Sequence, residues 1–96
     1  MNLAADRVIA ERRLTFKDQS SNPKDVRVVL GGPTHSTDKE EYSCDVQIVG
    51  LGDAKVRRIF GVDSIQALQL ALKFISEMLN RCRGSLTWLG NDDIGF

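Results

Sequence analysis

The sequence predicts an α+β domain in which an antiparallel sheet of four or five strands carries one long helix on one face. Three observations predict this class: apolar residues at helical spacing over about 63–83, alternating segments before them, and short connections between those segments. Short connections favour antiparallel neighbours, and a sheet with one apolar face needs one covering layer. The 96 residues are predicted to form a single domain over 1–96.

Four segments are predicted as strands, over about 8–16, 26–30, 42–49 and 56–60. The first alternates clearly, with Arg12 as the exception on its apolar side, and the third has the cleanest alternation. The fourth returns the chain after a glycine-containing turn and is predicted to complete a hairpin. Three further segments are predicted as a polar loop (34–41), a short fifth strand or packed extension (86–89) and a tail (91–96).

The helix has start and stop signals at its two ends. Asp63 and Gln66 have the spacing of a capping box, and Gly84 is placed to end the helix in a left-handed conformation. Leu70 interrupts the polar side of the helix, either as a lone surface leucine or as part of a contact with another chain. The predicted buried side consists of Leu68, Ala71, Leu72, Ile75, Met78, Leu79 and Cys82.

Formal charge is zero, with 13 basic and 13 acidic residues, so the chain lacks the broad positive field of a non-specific nucleic-acid binder. The apolar runs are too short to cross a bilayer, and the first residues do not have the pattern of a secretion signal. We therefore expect a cytoplasmic protein, in which Cys44 and Cys82 are reduced thiols.

The sequence contains no catalytic, metal or nucleotide signature. His35 and the acidic residues around it lie on a predicted loop without ligand spacing, so we expect no metal site. Gly50-Leu-Gly52 is followed by a strand rather than by a helix, which favours a turn over a phosphate loop. We expect no cofactor, and a binding module rather than an enzyme.

The leading hypothesis is a protein-interaction module that forms a homodimer or binds a protein partner. It rests on free sheet edges and on three apolar residues whose exposure would make them interface anchors: Leu70, Trp88 and Leu89. The alternative is a small-ligand-binding domain or minor enzyme. In that alternative Arg12 or Arg58 turns inward, between helix and sheet, and anchors an anion.

A third hypothesis is weak nucleic-acid binding by the sheet face that points away from the helix. Arg13, Arg27 and Arg57 would contact phosphates there, unless Glu11 and Asp45 pair with them across the strands. The residues predicted to line this open face are Glu11, Arg13, Arg27, Val29, Asp45, Gln47, Val49, Arg57 and Ile59.

Four segments together carry a resemblance to known proteins. They are Ile9-Ala-Glu-Arg-Arg-Leu14, Tyr42-Ser-Cys44 with Gly50-Leu-Gly52, the helix start from Gly61 to Leu72, and Trp88-Leu-Gly90. Taken together, they resemble a family of small, single-domain bacterial proteins with no assigned function. The resemblance spans most of the chain and implies a bacterial cytosolic protein, but it supplies no activity and no site residues.

Overall fold

The computed structural model describes residues 3, 7–17 and 22–96. The predicted fold class is confirmed, because an antiparallel sheet packs against one α-helix. The elements are β1 (Val8–Phe16), β2 (Lys24–Gly31), β3 (Thr34–Ser36), β4 (Glu41–Val49), β5 (Arg57–Gly61), α1 (Ser64–Leu79), a 3₁₀ helix (Asn80–Ser85) and β6 (Leu86–Thr87).

The sheet has the order β5-β4-β2-β1-β6, and every pairing in it is antiparallel. Strand β3 continues the line of β2. Tyr42 pairs with His35 of β3 on one side and with Gly61 of β5 on the other, while Val46 lies between Leu30 of β2 and Arg57 of β5. Residues 34–36, predicted as part of a loop, are therefore a strand. They pair with the part of β4 that extends past the end of β2, on the same side of β4 as β2.

Helix α1 begins with the predicted cap. The Asp63 carboxylate accepts a hydrogen bond from the Gln66 backbone N–H at 2.7 Å, and the Gln66 side chain accepts one from the Val62 N–H at 2.7 Å. The helix can start this close to β5 because position 61 is a glycine. A Cβ there would collide with the backbone of Ala67.

Ala67, Ala71, Ile75 and Leu79 line the buried side of α1, which packs on β4 and β5. Leu72, predicted to be buried, is 45% exposed, since the helix lies toward one side of the sheet and Leu72 points along the uncovered side. The α-helix also ends sooner than predicted. From Asn80 the chain continues in 3₁₀ turns that are interrupted by a kink at Cys82 (φ −136°), and the predicted left-handed conformation of Gly84 is wrong.

The rest of the helix-side face is covered by the last residues of the chain. The segment predicted as a tail packs beside α1 over β1, and Ile94 is fully buried in the core together with Leu14 and Leu86. Leu86 and Thr87 pair with the end of β1, which carries the chain onto this side of the sheet. The covering layer is thus half helix and half irregular chain.

The opposite face of the sheet is less open than predicted. Val29 and Gln47 are almost fully buried, because Leu3 and the connection between β4 and β5 lie over them. The Gln47 side chain donates to the Ala54 carbonyl oxygen at 2.7 Å and accepts from the Leu3 N–H at 3.0 Å. Ile59, predicted on this face, packs instead into the core under α1.

Candidate functional site

Strand β5 forms one edge of the sheet. This strand pairs with β4 on one side, and no strand pairs with its other side among the described residues. Exposed apolar side chains accompany this edge: Phe60 is 49% exposed and Val62, just beyond the strand, is 78% exposed. Free backbone hydrogen-bonding groups beside apolar surface are the usual elements of a strand-pairing interface.

The two arginines of β5 lie on the opposite faces to those predicted. Arg58 is opposite Asp45 on the open face, with 3.3 Å between its Nε and a carboxylate oxygen, so it is not an inward anion anchor. Arg57 is opposite Val46 on the helix side, so it is not part of the open face. Residues 56–60 lack a clean alternation, and a shift of one residue in strand phase exchanges the two faces.

Leu70 lies on the flank of α1 that is nearer to β5. Leu72 lines a small cleft with Ala10 and Phe96 on the β1 side, and a residue two positions earlier projects from nearly the opposite flank of a helix. Leu70 is 39% exposed. This predicted interface residue and Phe60 therefore flank one sheet edge, on its two faces.

The other edge of the sheet is only partly covered, because β6 pairs with Thr15 and Phe16 alone and Ile9 of β1 is 57% exposed. Strand β6 covers the end of β1, and a register shift between Val8 and Ala10 distorts its beginning. Charged side chains follow on the open face: Arg27 makes two hydrogen bonds to Glu11, at 3.2 and 3.3 Å, and Arg13 lies 3.5 Å from the same carboxylate. Bulges and charges are devices that discourage edge pairing.

These ion pairs also bear on the nucleic-acid hypothesis. Arg13 and Arg27 share the carboxylate of Glu11, and Arg57 is on the other face of the sheet. The three arginines predicted to contact phosphates therefore do not form one surface. The cross-strand pairing predicted as the alternative to phosphate binding occurs at both Glu11 and Asp45.

Arg12 does lie on the helix side of the sheet, but its guanidinium is occupied by the chain itself. It stacks on the Trp88 ring at 3.8 Å from the centroid, lies 4.9 Å from the Phe96 centroid, and donates to the Ile94 carbonyl oxygen at 3.1 Å. These contacts replace the predicted role as an anion anchor. Arg12 holds the end of the chain on β1 through cation–π contacts and one hydrogen bond.

The two other interface candidates behave differently from each other. Trp88 is half-buried against Arg12, so much of its surface is already in contact with its own chain. Leu89 is 84% exposed at the tip of a two-residue turn closed by paired backbone hydrogen bonds between Trp88 and Asn91. Its φ of 52° and that of 82° at Gly90 make this a type I′ turn, a conformation that leucine rarely adopts.

Neither cysteine is activated. Cys44 is buried in the core and Cys82 is half-buried, and both are free thiols. Burial raises the pKa of both thiols, and the neighbouring Asp45 carboxylate raises the pKa of Cys44 further, so the reactive thiolate is disfavoured at neutral pH. In the described part of the chain, no three metal-ligating side chains cluster, and no helix is long and apolar enough to span a membrane.

A family model for a domain of unknown function, DUF6968, matches residues 10–96, which is most of the chain. The chain belongs to this family. The expectation of a family without assigned function is confirmed, and the DUF6968 match begins inside β1 and includes β5, α1 and the packed chain end. No curated protein and no solved structure matches the chain.

The sequence predicts Leu70 as an interface candidate and free sheet edges, and Leu70 is 39% exposed; Phe60 and Val62, which are also exposed, are not among the predicted candidates. The predicted placement of Arg57 and Ile59 on the open face puts Phe60 on the helix side, and this phase of the alternation is wrong. The available signal was Ile59, whose inward position under the helix implies that Arg58 and Phe60 face outward together. Val62 precedes the cap of the helix, a position that sequence alone does not mark as exposed or buried.

Proposed function

We propose that this DUF6968 chain is a protein-interaction module of the bacterial cytosol, and that its partner is a second copy of itself paired through β5. The observation that carries the proposal is the contrast between the two sheet edges. At one edge β6 pairs with the end of β1, and a bulge and charged side chains accompany the rest of that strand; at the other edge no strand of the described residues pairs with the outer side of β5, and Phe60 beside it is exposed.

The charge pattern of β5 favours a second copy as the occupant. In an antiparallel pair centred on Ile59, Arg58 of each copy lies opposite Phe60 of the other, and Arg57 lies opposite Gly61. No arginine then faces its own equivalent, and each Arg58–Phe60 pair gains a cation–π contact. A two-fold axis at Ile59 relates the two copies of β5, so the Arg58–Phe60 contact occurs twice in the interface. Such a symmetric interface closes as a dimer.

The apolar residues around the edge fit the same arrangement. Leu70 flanks β5 on the helix side and Phe60 on the open side, so pairing of two copies would cover apolar surface on both faces of the joined sheet. A five-residue strand makes a small interface. We therefore expect a reversible dimer with a dissociation constant in the micromolar range rather than an obligate one.

Sedimentation velocity of the full chain over the micromolar range, with native mass spectrometry, tests the proposal. The wild-type chain is expected to shift from monomer to dimer with concentration. Phe60→Lys places like charges opposite each other and should abolish the dimer, whereas Phe60→Glu places a carboxylate opposite Arg58 and should keep it. Leu89→Lys, which puts the same charge on an exposed leucine at the other edge, is the matched control and should leave the dimer intact.

Two results would overturn the proposal. The first is a wild-type chain that stays monomeric throughout the micromolar range. The second is a Phe60→Lys variant that dimerises as well as the wild type, because the contact between copies would then lie elsewhere.

A further inference from the structure

A second site lies at the far end of α1, away from the β5 edge. The end of the helix, the cross-strand pair Phe16 and Lys24, and the turn after β4 enclose a cleft of about 410 Å³. This volume is within the range of small-molecule sites, about 300–1,000 Å³. Its apolar lining comes from Phe16, Ile48, Leu51, Met78 and Cys82.

The rim of this cleft carries more positive than negative charge. Lys24 and Arg81 stand at the cleft, and neither makes an ion pair within the part of the chain that the structure describes. Asp53, on the turn after β4, adds one negative charge, so the rim has two positive charges against one. By contrast, Arg12, Arg13, Arg27 and Arg58 are all engaged by groups of the chain itself.

We propose that this cleft binds a small amphipathic anion, with its apolar body on Phe16, Ile48 and Met78 and its carboxylate between Lys24 and Arg81. The apolar lining supplies burial for the body, and the two rim cations supply orientation and selectivity for the charge. An anion site between helix and sheet is also predicted from the sequence, but on Arg12 and Arg58, which the fold engages elsewhere. Lys24 and Arg81 come from segments 57 residues apart, and only the folded chain brings them to one rim.

Octanoate is the probe, and octan-1-ol is its uncharged counterpart. In ¹H–¹⁵N correlation spectra of the full chain at low salt, octanoate is expected to give saturable shifts at the amides of Gly50, Gly52 and Cys82. Octanol should bind more weakly at the same amides. The double variant Lys24→Gln with Arg81→Gln should weaken octanoate binding about tenfold, since each exposed ion pair contributes modestly.

Two further variants sharpen the assignment. Lys73→Gln with Arg7→Gln removes the same two types of charge from exposed positions outside both the cleft and the β5 edge, and should leave octanoate affinity unchanged. Asp53→Asn removes the one negative charge of the rim and should strengthen octanoate binding up to a few-fold. Phe60→Lys is expected to bind octanoate normally, because the cleft and the β5 edge are separate.

The proposal is overturned by three results: no saturable shift at these amides up to low millimolar octanoate, equal binding of octanol and octanoate, or equal loss of affinity in the two double variants. The first would show that the cleft has no ligand of this class. The second and third would show that Lys24 and Arg81 do not select the anion.

Discussion

The two halves of the sheet are buried by different kinds of structure. In the helix-covered half, α1 packs on β4 and β5; in the chain-end-covered half, the residues after β6 pack on β1. Over β4 and β5, one regular helix buries Ala67, Ala71, Ile75 and Leu79 at a regular spacing of four residues. Over β1, the residues after β6 bury Ile94 with no periodic pattern, and Arg12 holds them by stacking and by a hydrogen bond. One hydrophobic core can therefore be buried partly by a regular helix and partly by an irregular segment of chain.

The largest expected effect lies in the helix-covered half. Leu79 is fully buried at the last turn of α1, so Leu79→Ala removes buried methyl groups and leaves a cavity. We expect the free energy of unfolding to fall by about 3–5 kcal/mol, measured by urea denaturation followed by circular dichroism. Glu77→Ala, at an exposed position of the same helix, is the control and should change stability little.

Ile94→Ala tests whether the irregular half belongs to the same cooperative core. Ile94 is as buried as Leu79, so we expect a loss of about 2–3 kcal/mol in the global unfolding free energy, somewhat less because a chain end relaxes more easily. Urea denaturation monitored by Trp88 fluorescence and by circular dichroism should give coincident transitions. Separate transitions would mean that the end of the chain unfolds as an independent unit.

Arg12→Ala should have a smaller effect, about 1–2 kcal/mol, because it removes the stacking on Trp88 and Phe96 and one hydrogen bond to Ile94. Arg12→Lys keeps the charge but loses the planar stacking, and is expected to restore only part of the stability. Thermal unfolding measures both variants. Full restoration by lysine would show that charge alone, and not stacking, holds this half in place.

The smallest effect has the opposite sign. Asn-Gly is the sequence preferred at a type I′ turn, so Leu89→Asn should raise the unfolding free energy by about 0.5–1 kcal/mol by relieving the left-handed leucine. Leu89→Ala removes the exposed apolar surface but keeps the unfavourable conformation, and should bring no comparable gain. A destabilised Leu89→Asn variant in thermal unfolding would mean that the leucine contributes contacts to the chain-end-covered half.

The parts of this fold that sequence reasoning predicted are the ones with local causes. The alternation in β1 and β4 and the Asp63–Gln66 cap each depend on residues close together in the chain. The faces of β5 could not be assigned from Val56-Arg57-Arg58-Ile59-Phe60, because its alternation is weak and a shift of one residue reverses it. For the candidate site, Leu70 was predicted, whereas Phe60 was not.

The sequence by itself determined the α+β class, the antiparallel strands and the long helix, since periodicity and capping are local properties that each segment carries with it. The tertiary structure decided which strands form the edges of the sheet, where the last residues pack, and which cations lie at the cleft. Those outcomes depend on contacts between distant residues, such as Arg12 with Ile94 and Lys24 near Arg81. The energy of such a contact exists only after the strands and helix have come together, so no single segment encodes it.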